Sequence, residues 1–155
     1  MTSIVTFIKK ITEKLMLEDI TNRNDIVLLV DTFYGKVMTN NVIGFIFSDV
    51  AGIDWSKHLP KMYRFWASLL LNEQSYSGNP LRMHVHLSKL TEMSETQFSE
   101  WLRLFHETVD ELFSGTKADE AKLRAEKIAS TMMTNIRIST QKSSLLFQQK
   151  NNPEK

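Results

Sequence analysis

Cysteine is missing from this 155-residue chain. Its absence excludes disulfides, thiolate metal ligands and any cofactor attached through thioether links. Charge of one sign is missing too: 19 basic and 18 acidic side chains leave a formal net charge of +1, which gives no electrostatic reason for a nucleic-acid partner. Glycine (5) and proline (3) are scarce, no two glycines are adjacent, and no Asn-Gly or Asp-Gly hairpin signal occurs. No apolar run approaches the ~20 residues that span a bilayer. The opening Met1 to Lys10 lacks the apolar core and small-residue cleavage site of a secretion signal, so a cytoplasmic address is expected.

The segments between the few breakers carry a helical period. Ile26, Leu29, Val30, Phe33, Tyr34 and Val37 recur at the spacing of one packed helix face, with Asn24 as the expected cap and Thr39 to Asn41 as the end. Residues 42–52 read as a short helical turn plus loop. A second long helix runs from near Asp54 to Leu71 and sets His58, Met62, Phe65, Trp66 and Leu69 on one face, with Pro60 in its first two turns. Asn79 and Pro80 suit the cap and first position of a short helix bearing Leu81, His84 and Val85. Ser94 and Gln97 form a capping-box pair before the stripe Phe98, Trp101, Leu102, Phe105, Val109, Leu112 and Phe113. A last helix uses Ala121, Ala125, Ile128, Ala129, Met132 and Ile136. The fold class expected is all-α.

The chain divides into an N-terminal amphipathic extension (1–18), a central domain (19–137) and a polar C-terminal tail (138–155). The extension spaces Ile4, Phe7, Ile8, Ile11 and Leu15 among Lys9, Lys10 and Lys14. It reads as a leading helix docked on the domain, with contact to lipid as the alternative. The tail is expected to fray, with Leu145, Leu146 and Phe147 as a weak anchor.

His58 and His84 occupy apolar, helix-patterned stretches where a core would place leucine, and Tyr34 and Trp101 add two more polar tips. Buried polar groups cost free energy unless partnered, so several in one small domain call for a ligand that binds metal on one side and hydrogen bonds on the other. Haem is such a ligand, and without cysteine its axial ligand is His, Met or Tyr. Each of these residues taken alone also fits plain core or surface.

Phe33-Tyr34, Trp55-Ser56-Lys57-His58, Phe65-Trp66, Tyr76-x-Gly78-x-Pro80-Leu81-x-x-His84 and Trp101-Leu102-x-Leu104-Phe105 together resemble a group III truncated haemoglobin over about residues 19–135. The resemblance implies a two-over-two helical globin around one b-type haem. It implies His84 as the proximal iron ligand, with His86, roughly 200° around the helix, facing solvent. It implies Tyr34 as a distal hydrogen-bond donor, Trp101 as a second donor, and His58 at the pocket mouth as a gate or alternative iron ligand. Met62, Phe33, Phe47, Phe65, Trp66 and Leu81 would line the haem. Lys61, with Tyr76 and Arg82, would meet its propionates. Pro60 and His86 depart from the family's pattern and leave the distal coordination open.

The function implied is binding of O2, and of NO or similar small ligands, in a polar pocket suited to slow release, NO or peroxide chemistry, or sensing rather than transport. NO dioxygenase- or peroxidase-like turnover would need a separate reductase, because no flavin or nicotinamide motif is present. Two other readings stay open: a haem-free helical interaction module using the basic first helix, and a hydrolase using His58 or His106 with an acid. The second lacks a nucleophile elbow, a His-Glu-x-x-His and a phosphate loop.

Overall fold

The computed structural model describes residues 2–50, 52–74, 76 and 94–151. They form five α-helices and one π-helical segment: α1 (Thr2–Leu15), α2 (Arg23–Thr39), the π segment (Ile46–Val50), α3 (Trp55–Leu70), α4 (Glu95–Leu112) and α5 (Thr116–Asn151). The expected short helix around Asn79 to Val85 lies outside the described residues.

α2 buries Ile26, Leu29, Val30, Phe33, Tyr34 and Val37, the stripe its period dictates. Its cap is Asn22 rather than the expected Asn24. The Asn22 side chain accepts from the N–H groups of Asn24 and Asp25 (2.9 and 3.2 Å), and Asp25 accepts back from the N–H groups of Asn22 and Thr21. That reciprocal pair satisfies more orphaned donors than a cap two residues later could. Asp54 starts α3 by accepting from Ser56 N–H at 3.1 Å, and the helix continues through Pro60. Gln97 closes the box at α4 by accepting from Ser94 N–H at 2.8 Å.

α2 packs on both α3 and α4, and α4 also packs on α5. Phe33, Trp66, Leu70, Leu104, Phe105 and Val109 fill the centre. α5 meets them with Ala118, Ala121 and Ala125, whose small side chains allow close helix approach. Thr108, fully buried, satisfies its hydroxyl on the Leu104 carbonyl one turn back at 2.7 Å.

Asp19 fastens the start of α5 from 98 residues away. Its carboxylate accepts from Lys117 N–H at 2.9 Å and Ala118 N–H at 2.8 Å, as well as from Ile20 N–H at 2.8 Å. Gly115 (φ +148°) makes room for it, because a Cβ there would stand 2.5 Å from the Asp19 carboxyl carbon. Burial pushes the Asp19 carboxyl up, but the three backbone donors outweigh it and hold the group below its ordinary value of 3.8. A depressed carboxylate contributes stability above its unfolded value and loses it as pH falls through the folded one. Asp19→Ala is therefore expected to cost about 1–2 kcal/mol at neutral pH, roughly 2–8 °C in melting temperature. The gap to wild type should close as the pH drops below about 4. Parallel thermal melts across pH check this, and a gap that ignores pH would refute it.

Both ends depart from expectation. α1 is not docked through its apolar face: Ile4, Val5, Phe7, Ile8, Ile11 and Leu15 are 44–80% exposed. The C-terminal stretch is not frayed but continues α5 to Asn151, and Leu145, Leu146 and Phe147 anchor nothing, since all three are exposed. Residues 138–151 contain no glycine or proline to stop the helix, and among the described residues no neighbouring element covers it. Among the described residues no helix is long and apolar enough to cross a membrane.

Candidate functional site

α2, α3 and α4 each turn an aromatic side chain toward a common face, and these rings form one continuous series. Tyr76 meets Phe65 edge-on (centroids 5.2 Å), Phe65 meets Trp66 (5.5 Å), and Trp66 stacks on Phe105 (4.6 Å). Phe105 stacks on Trp101 (5.8 Å), Trp101 stands edge-on to Phe33 (5.6 Å), and Phe33 to Tyr34 (4.9 Å). Around Tyr34 gather His58 (5.2 Å), Trp55 (5.5 Å) and Phe47 (6.0 Å). Mutually edge-on and offset rings hold each other in place beyond their burial, so the wall is stiff.

The polar tips sit in this wall. Tyr34 is 6% exposed, and among the described residues no hydrogen bond engages its hydroxyl. Burial pushes its pKa well above the ordinary value of 10.0, so at physiological pH the group is a neutral donor. The His58 ring lies edge-on to both Tyr34 and Trp55, and its backbone N–H donates to the Asp54 carbonyl in the first turn of α3. Burial also raises the Tyr76 hydroxyl, keeping it protonated beside Phe65.

The structure brings together Phe33, Tyr34, Phe47, His58, Phe65, Trp66, Tyr76 and Trp101, with Met62 half-buried against the same core. Lys61 is exposed on α3. His84, His86, Leu81 and Arg82 lie outside the described residues. His106 faces Glu126 across the α4–α5 seam, with Nε2 3.3 Å from Oε1.

Two members of the wall were not among the candidates. Trp55 touches Tyr34, His58 and Phe47. Its signal was its place three residues before His58, which sets both on one helix face. Phe105, fully buried, reads as ordinary stripe in the sequence but joins Trp66 to Trp101 here.

Flat apolar walls with a tyrosine hydroxyl that no hydrogen bond engages among the described residues suit a planar aromatic cofactor that carries a small polar ligand. The residues present fit haem.

Comparisons with known proteins agree in kind. The family described as Bacterial-like globin matches residues 16–136. A group 3 truncated hemoglobin of Campylobacter jejuni subsp. jejuni is 33% identical over 112 residues, covering 70% of this chain and 86% of that protein. The crystal structure of a group III truncated hemoglobin from Campylobacter jejuni superposes with a TM-score of 0.68 at 31% identity, covering 78% of this chain and 95% of the other.

Proposed function

Because the chain belongs to the bacterial-like globin family and is a group III truncated haemoglobin, we propose that it holds one haem b against the ring wall of α2, α3 and α4, takes up O2 reversibly and releases it slowly. Bound haem supplies an iron with an open position for a small ligand. His84 would hold that iron, with its second ring nitrogen fixed by a carbonyl or water. Phe33, Phe47, Met62, Phe65, Trp66 and Leu81 would wall the macrocycle, while Lys61, Tyr76 and Arg82 would meet its propionates. His58 stands where ligand enters and is the alternative metal ligand.

Tyr34 carries the reading. The residue is buried and its hydroxyl is protonated and available to donate to an oxygen-bearing ligand, where nothing else among the described residues engages it. Trp101 adds an indole N–H that can donate but never accept. Two donors slow escape of a partly charged ligand, which suits conversion of NO or peroxide, or sensing, better than delivery. Conversion would draw electrons from a separate reductase.

Stopped-flow displacement of O2 from the reduced, haem-loaded protein tests this. Release should be slow in wild type and about two- to tenfold faster in Trp101→Phe, the span of one net hydrogen bond. Wild-type release as fast as that of a variant lacking both donors would refute the polar-pocket reading.

A further inference from the structure

We propose that α1 is a docking element for anionic phospholipid surfaces, lying in the plane of the bilayer interface and holding the globin domain against it. The proposal does not depend on haem. At about 100° per residue, Phe7, Ile11, Ile4, Leu15, Ile8 and Val5 fall within an arc of about 160°. All six are exposed (44–80%), so the apolar face of the helix is left largely open to solvent. Monomeric proteins rarely leave such a contiguous patch uncovered unless it binds something.

Charge identifies the occupant. Lys14 lies about 20° beyond one edge of the arc and Lys9 about 40° beyond the other, with Lys10 on the polar back. Lys9 at the far border and Lys10 behind it can extend their ammonium groups to lipid phosphates while the stripe enters the acyl boundary, with Lys14 held on Asp110. Lys10 makes no ion pair among the described residues, and Lys9 reaches only Glu13, at 3.8 Å between exposed side chains. At 14 residues the helix cannot span the hydrocarbon core, so it lies flat. At the junction the Lys14–Asp110 ion pair (3.6 Å) ties the end of α1 to α4, and a turn at residue 16 leads out of the helix, with the Met16 and Leu17 N–H groups donating to the Glu13 and Lys14 carbonyls (3.2 and 3.3 Å). The exposed C-terminal part of α5 offers no such match. Leu145, Leu146 and Phe147 are consecutive there and spread around the helix instead of sharing a face. A second copy of α1 is a poorer occupant, since pairing the stripes would bring the lysine borders together.

Co-sedimentation of the full-length, haem-loaded protein with vesicles is the test, using phosphatidylcholine mixed with phosphatidylglycerol against phosphatidylcholine alone. Binding is expected to the mixed vesicles only, and to weaken as salt rises. Phe7→Glu should abolish it, and the double change Lys9→Glu with Lys10→Glu should weaken it at least tenfold, since each lysine near an anionic surface contributes about fivefold. Melting temperature and absorption spectrum should stay at wild-type values in both variants, because α1 lies outside the core. Absence of binding, equal binding to both vesicles, or binding that survives Phe7→Glu would overturn the proposal. So would a lipid-free dimer, seen by sedimentation velocity, that Phe7→Glu dissociates.

Discussion

Replacing Tyr34 with Phe should speed O2 release from the reduced, haem-loaded protein by about ten- to a hundredfold. The factor follows from losing one hydrogen bond to a partly charged ligand in a dry pocket, about 1.5–3 kcal/mol. The substitution removes a single oxygen and keeps the ring, so the contacts with Phe33, Trp55 and His58 survive. No hydrogen bond within the described residues is broken, which makes the variant a clean one. Association should change much less, because the donor acts on ligand already in place. Stopped-flow release in both proteins reads the difference. Unchanged release would remove Tyr34 from the ligand's surroundings.

Phe105→Ala is expected to have the largest effect on stability. The ring is fully buried and touches Trp66, Trp101 and Phe33, so its removal leaves a cavity that three rigid neighbours cannot fill by small shifts. The cost should be about 3–5 kcal/mol, roughly 6–20 °C in melting temperature. Because Trp66 and Trp101 lose their shared support, the haem absorption band should also broaden or shift. A variant as stable as wild type, with the same spectrum, would show that the ring series does not hold the site together.

Helix faces were legible in the sequence where one face is buried. α2 contacts its neighbours along a single stripe, and all six expected residues are its buried ones. α4 lies between α2 and α5 and buries more than one stripe. Period reading therefore found Phe98, Phe105 and Val109 but passed over Leu104 and Thr108, while Leu102 and Leu112 are only half-buried. Local pattern could not reveal the Asp19 clamp on α5, whose partners are 98 and 99 residues away. Nor could it say what covers an amphipathic face, which is why α1 was expected to dock and Leu145 to Phe147 to anchor. Tyr34, His58 and Trp101 could be singled out because they are polar interruptions in apolar stripes, and the structure places all three in one ring series. Trp55 was missed because an aromatic residue in the first turn of a helix looks like any other apolar contact.

Hemin titration of wild type, His84→Ala and His86→Ala in parallel is the most direct test of the central claim that this chain holds haem through His84. Wild type and His86→Ala should each take up one equivalent with an intense Soret band, and His84→Ala should lose it to competing apomyoglobin. Retention in His84→Ala together with loss in His86→Ala, or no Soret band in any of the three, would contradict the account.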